Sequence, residues 1–150
     1  MRAPAEARRR GLLLIWGAQA CSLVLLFGLT YVVRPEASTD DNYRMAWAFA
    51  TLGLMFFFLS LVIKHKLLSQ ATTKRRPDLG TTAYVLAFAM CEATAIIGFV
   101  TYLITGLSFY AQHSFMYAMV GLLTHFPRRG ALDGTEANDT GRAELNKTAL

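Results

Sequence analysis

Four apolar blocks separated by short polar stretches limit this 150-residue chain to very few folds. Each block has close to the 20 or so apolar residues that a membrane-spanning helix needs. The backbone must satisfy its own hydrogen bonds in lipid, and no run of alternating ten-residue segments suggests a barrel, so the blocks are predicted to be helices. The predicted spans are 11–33, 45–63, 81–105 and 107–126. The sequence therefore predicts an all-α integral membrane four-helix bundle of two helical hairpins.

The distribution of charge predicts the orientation of these spans. The net charge is +5. Basic residues precede the first span and follow the second and fourth: Arg8–Arg10, Lys64, Lys66, Lys74–Arg76 and Arg128–Arg129. Segment 34–44 is acidic, and no charged residue lies between the third and fourth spans. Since Lys and Arg concentrate in cytoplasmic loops, both termini are predicted in the cytoplasm, with the spans in the cytoplasmic (inner) membrane. The basic residues are then expected to contact anionic lipid rather than nucleic acid.

The two ends of the chain are polar and flank a membrane domain at 11–126. Residues 1–10 are predicted to form a basic cytoplasmic arm, and residues 127–150 a disordered cytoplasmic tail. The arm, the apolar run after it and Ala18-Gln19-Ala20 also fit a cleavable signal peptide, whose removal would leave three spans. The apolar run continues to Val33, longer than a signal peptide requires. We therefore expect an uncleaved signal anchor.

Glu92 is a lone carboxyl group in the middle of the third apolar block. An ionisable group at bilayer depth costs at least about 2.5–3.5 kcal/mol, so it marks a functional site by default. Counting about 1.5 Å per residue from Gly80 places Glu92 roughly 18 Å into the span, near the midplane. No Lys or Arg lies at that depth. The sequence therefore predicts that Glu92 is mostly protonated at neutral pH.

Polar side chains at a similar depth on the other three spans are the expected hydrogen-bond partners of Glu92. They are Gln19 and Ser22 on the first span, Thr51 on the second and Ser114 on the fourth. Two interpretations of Glu92 remain open at this point. It is either a reversible proton site, or a protonated donor that joins helices, a bond worth about 0.6 kcal/mol on average in membranes.

A stripe of small residues lines one face of the third span at spacings of three or four. It comprises Ala83, Ala87, Cys91, Ala95 and Gly98. Small side chains allow membrane helices to approach closely. The stripe predicts a helix-packing surface, and we expect the chain to form a homo-oligomer, or to join a membrane complex, through it.

Residues 74–102 resemble the ATP synthase c subunit (proteolipid). Lys74-Arg-Arg-Pro77 corresponds to the polar Arg-Gln-Pro loop of that family. The stretch Ala87-Phe-Ala-Met-Cys-Glu92-Ala-Thr-Ala-Ile-Ile-Gly98 corresponds to its carboxylate helix, Ala-Phe-Met-Glu-Ala-Leu-x-Ile-Tyr-Gly. The whole chain looks closest to small, uncharacterised four-span bacterial membrane proteins with such a helix. The resemblance implies that Glu92 is an ion-carrying carboxylate in ion translocation or its coupling.

Other chemistry is not indicated. His65, His113 and His125 are far apart in the predicted topology, so no metal site is expected, and no cofactor either. No nucleophile–base order or phosphate-binding loop is present, and the outer connections are short. We therefore expect that the protein is not an enzyme. A non-transporting accessory subunit of a membrane complex, with Glu92 as an interhelical hydrogen bonder, is the alternative function.

Overall fold

The computed structural model describes residues 3–33, 35, 40–74 and 77–127, and this part of the chain is helical apart from short connections. The four helices are α1 (Ala3–Val32), α2 (Asp40–Lys74), α3 (Pro77–Thr105) and α4 (Ser108–Thr124). The first three are long and apolar enough to cross a membrane. α4 has 17 residues, about 26 Å of helix, which is near the lower limit for a span. The all-α class is confirmed, and the fourth span stays a prediction.

The helices extend beyond the apolar blocks. α2 continues eleven residues past the predicted end of its span, and α3 begins at Pro77. Most of segment 64–80, expected as a polar loop, is therefore helical, and residues 75–76 lie outside the described part. Residues 3–10 of the basic arm already belong to α1. Hydropathy predicts how much of a helix suits lipid, whereas good helix formers such as Lys, Gln and Ala continue the helix past that limit. The predicted tail beyond Pro127 lies outside the described residues.

Contacts between helices define an up-and-down arrangement. The Tyr102 hydroxyl on α3 donates to the carbonyl of Val33 at the end of α1, so α1 and α3 run in the same direction. Asn42 at the start of α2 donates to the carbonyl of Thr105 at the end of α3, so these two helices are antiparallel. In the described part, α1 packs against α3 and α4 and does not touch α2. α3 and α4 therefore form a central layer between α1 and α2.

The small residues of α3 are buried inside this layer. Ala83, Ala87, Cys91, Ala95 and Gly98 are all inaccessible to solvent or nearly so. A Cβ atom added to Gly98 would lie 2.6 Å from Cβ of Ser114 on α4. Gly106, with φ of 70°, forms the turn that brings α4 back against α3. The stripe thus packs within the chain, so it is not free for another copy, contrary to the expectation that an oligomer forms through it.

The α2–α3 hairpin is longer than α4. Cys91 lies beside Gly121, because a Cβ atom on that glycine would come within 2.7 Å of Cys91 Sγ. In antiparallel helices this contact places the end of α4, at Thr124, near the level of Phe88. The hairpin therefore continues about 16 Å beyond α4 to Pro77. The side chains of Lys64 and Tyr84 lie at this boundary, where Lys64 Nζ donates to the Thr124 carbonyl over 3.2 Å.

Candidate functional site

The Glu92 carboxyl group lies at the contact between α3 and α1. Gln19 Nε2 donates to Glu92 Oε2 over 2.7 Å, and Ser22 Oγ donates to Glu92 Oε1 over 3.0 Å. Gln19 and Ser22 are three residues apart, so they share one face of α1. Glu92 is half-buried. The structure thus brings together the acid and both of its expected partners on the first helix.

The other two expected partners lie elsewhere. Thr51 is exposed, and its hydroxyl donates to the carbonyl of Trp47 on its own helix. Ser114 is buried, bonds the carbonyl of Tyr110 and packs against Gly98. Ser114 lies on a side of α3 different from that of Glu92, and neither hydroxyl bonds the acid. Depth can be counted along a sequence, but the rotation of each helix is decided by packing, so counting alone placed these two hydroxyls incorrectly beside the acid.

The surroundings of Glu92 contain no counter-ion. No hydrogen bond or ion pair joins it to a basic side chain in the described part of the chain. The remaining polar atom of the cluster, Oε1 of Gln19, is buried and has no hydrogen-bond partner there. A half-turn of the Gln19 amide exchanges its NH₂ donor and its carbonyl acceptor. The cluster can therefore donate to an ionised Glu92, or accept a hydrogen bond from a protonated one.

Glu92 lies at the centre of the part of α3 that suits a membrane. The segment Leu79–Thr105 is long and apolar enough to cross one. Glu92 is thirteen residues, about 20 Å, from each end of this segment. A position near the midplane of a bilayer stays a prediction.

A second buried polar contact joins α2 to the end of α4. Ser60 Oγ and His125 Nε2 are 3.0 Å apart, and both side chains are fully buried. His125 Nδ1 is also buried and has no hydrogen-bond partner among the described residues. The sequence placed His125 at a helix end and gave no sign of this pairing, because Ser60 is 65 residues away. This contact therefore holds the end of α4 against α2.

Metal coordination finds no support in the described residues. They contain no group of three or more His, Cys, Asp or Glu side chains arranged to hold an ion. Ser60 is a neighbour of both Cys91 and His125, but a single cysteine with one imidazole falls short of a four-ligand site.

Comparison of the chain with protein-family models, with curated proteins and with solved structures gave no match. The class shown by the fold is thus an all-helical protein with three helices suited to a membrane.

Proposed function

We propose that this is a four-span protein of the cytoplasmic (inner) membrane with both termini in the cytoplasm, and that Glu92 is a reversible proton site in ion translocation or its coupling. One observation carries the proposal. Each oxygen of the only carboxyl group described within the apolar part of α3 accepts a hydrogen bond from a neutral side chain, and no basic side chain among the described residues bonds it.

Uncharged hydrogen-bond donors suit a carboxyl group that must change its protonation state. A basic partner at close range would hold the carboxyl group ionised, because an opposite charge favours the charged form. Gln19 and Ser22 can each act as donor or acceptor. When Glu92 binds a proton, its new O–H can donate to the Gln19 carbonyl oxygen after the amide turns. Both states then keep their hydrogen bonds inside the layer.

In the ATP synthase c subunit family, which residues 74–102 resemble, the carboxylate works in a ring of helical hairpins that rotates past a static subunit. We propose the proton chemistry of that family for Glu92 without such a ring. α2 carries one glycine within its apolar part, Gly53, followed by the bulky run Phe56–Phe58, which does not suit a tight inner wall of glycine-rich helices. α1 also covers the face of α3 on which Glu92 lies. A static partner of the kind that the c subunit meets would have to displace α1. Here α1 itself supplies the groups that face the acid.

The test is labelling of the full chain in membranes with a hydrophobic carbodiimide across pH. These reagents modify protonated carboxyl groups, so we expect modification at Glu92 that fades as the pH rises through a single titration. Glu92→Gln is the matched control, because it keeps a polar side chain of the same shape and removes the reactive acid. Absence of labelling at Glu92 at every pH would contradict a reversible proton site.

The alternative function is a non-transporting accessory subunit in which Glu92 joins α1 to α3. It is favoured by the fact that both hydrogen bonds of Glu92 cross between these two helices. Proton flux in reconstituted vesicles separates the two functions. Ion translocation predicts a flux that Glu92→Gln abolishes with the fold intact. The accessory role predicts no flux from the unmodified chain and full tolerance of Glu92→Gln in complex assembly.

A further inference from the structure

A groove separates α1 from α4 on the side away from α2. Its cavity has a volume of about 490 Å³, within the usual range for small-ligand sites. The floor is formed by Leu23 and Phe115, which are 2% and 6% exposed, whereas Val24 and Met116 on the walls are 60% and 55% exposed. Buried floor and exposed walls are the features of a real depression rather than of a flat helix face.

One end of this groove is polar. A second cavity of about 170 Å³ adjoins it and shares Tyr31, Gln112 and Phe115 with it, and Ser108 lines the far side. The side chains of Tyr31, Gln112 and Ser108 make no hydrogen bond to any other residue in the described part of the chain. All three side chains are exposed, Tyr31 to 67%. Three free hydrogen-bonding groups together at the end of an apolar groove are therefore available to the polar head of a ligand.

The dimensions fit one leaflet of a bilayer. From Ser108 to Met119 the groove follows eleven residues of α4, about 16 Å, which is close to half of the roughly 30 Å hydrocarbon core. The polar groups lie toward the helix end and the apolar ones toward the middle. The groove therefore has the polarity gradient and the length of a single lipid chain.

We propose that this groove binds an uncharged single-chain amphiphile, with a hydroxyl, ester or carbonyl head held by Gln112 and Tyr31. The lining of both cavities contains no Lys, Arg, His, Asp or Glu. A phosphate or carboxylate head would lose its hydration without gaining a cation, so an anionic lipid is disfavoured. Met116 and Met119 supply flexible, polarizable walls that adapt to a hydrocarbon chain.

The experiment is photo-crosslinking of the full chain in vesicles with two probes that carry the same photoreactive chain. One probe is a monoacylglycerol and the other the corresponding fatty acid. We expect crosslinks of the monoacylglycerol near Val24, Met116 and Met119. Met116→Trp, which fills the groove, should remove most of them. Gln112→Leu and Tyr31→Phe should each weaken labelling about fivefold through loss of one hydrogen bond.

Met55→Trp is the matched control, because Met55 lies exposed on α2, away from the groove. It should leave crosslinking unchanged. Equal labelling by the two probes, or equal labelling of the Met55 region, would show ordinary lipid around the helices and would overturn the proposal. A variant that fails to fold would be recognised by loss of the helical signal, and the comparison of the two probes on the unmodified chain decides the question without any variant.

Discussion

The cluster of Glu92, Gln19 and Ser22 joins only two helices, α1 and α3. A substitution within the cluster therefore changes the contact between these two helices. The acid accepts both bonds from α1, so its loss leaves two donors without their acceptor. The hydroxyl of Thr51, in contrast, is satisfied by its own helix. Polar residues at a similar predicted depth therefore differ in whether their hydrogen bonds join two helices or stay within one helix.

Two substitutions of Glu92 should separate the effect of changing its side-chain shape from the effect of losing its hydrogen bonds. Glu92→Leu removes both acceptors, and we expect it to lower the free energy of unfolding by about 1 kcal/mol, from two bonds of about 0.6 kcal/mol each. Glu92→Gln keeps one acceptor and should cost less than half as much. Unfolding in mixed detergent micelles measures both. Thr51→Val serves as the control and should change little; equal costs for all three variants would contradict the bonding seen at Glu92.

Counting residues along the helices predicted some hydrogen-bond partners of Glu92 correctly and others incorrectly. Depth predicted Gln19 and Ser22 as partners because a rise of 1.5 Å per residue is fixed by the helix itself. The same counting failed for Ser114, which turns toward Gly98 instead. The direction in which a side chain points depends on close contacts such as Gly98 with Ser114, and no local sequence pattern encodes them.

At the scale of elements, α3 is the helix around which the others pack. Cys91 and Gly98 on its small face contact α4. Glu92, about 100° around the helix from Cys91, carries the bonds to α1. Small-residue spacing predicted that α3 has a packing face, but not which helix occupies it. The turn at Gly106 brings α4 back against α3. α2, however, packs along α3 more extensively than α4 does. The sequence predicted α2 and α3 to be shorter than they are. An apolar block marks the part of a helix that suits lipid and does not mark the residues at which the helix begins and ends.

The glycines of these helices should respond unequally to alanine. Gly98→Ala would push Cβ to 2.6 Å from Ser114 Cβ and 3.2 Å from the Ala111 carbonyl, so we expect a loss of about 1–3 kcal/mol in unfolding free energy. Gly53→Ala meets its nearest atom at 3.5 Å, an ordinary contact, and should be tolerated. Thermal unfolding in detergent compares the two. A harmless Gly98→Ala would show that α3 and α4 are not closely packed.

The link between α2 and α4 can be measured as a coupling energy. Ser60→Ala leaves His125 Nε2 buried without a partner, which should cost about 1–3 kcal/mol. Combined with His125→Phe in a double-mutant cycle, it should show a coupling of at least about 0.5 kcal/mol. Thr124→Ala is the neighbouring control, since the side-chain hydroxyl of the exposed Thr124 bonds only its own helix and the substitution leaves its carbonyl in place. Additive effects of the two buried substitutions would mean that this contact does not form.

At the scale of the whole molecule, the proposal requires an even number of spans. α1, α2 and α3 have the length and composition to cross a membrane, and α4 is shorter. Because α4 packs antiparallel along α3 over most of its own length, we propose that it crosses too. The proposed homo-oligomer or membrane complex would then need a surface other than the small face of α3. The exposed apolar side chains of α1 and α2 offer one.

Reporter fusions test this topology. A phosphatase that is active only outside the cytoplasm should be inactive when fused after Leu150 and active when inserted within residues 36–39. The basic residues at both ends of the chain favour this orientation. Replacing Arg8–Arg10 with neutral residues should weaken the preference. A phosphatase active at both sites would contradict four spans and support three.

The central claim is that Glu92 takes up and releases a proton inside the helical layer. Infrared difference spectroscopy of the reconstituted full chain during a pH titration measures this directly, with Glu92→Gln subtracted to remove the other nine acidic residues of the chain. We predict one carboxylic-acid band that appears as the pH falls and is absent in the variant, together with a shift of the Gln19 amide carbonyl band in chains where Gln70 and Gln112 are replaced by Asn. A Glu92 band that stays unchanged across the whole pH range would contradict the claim.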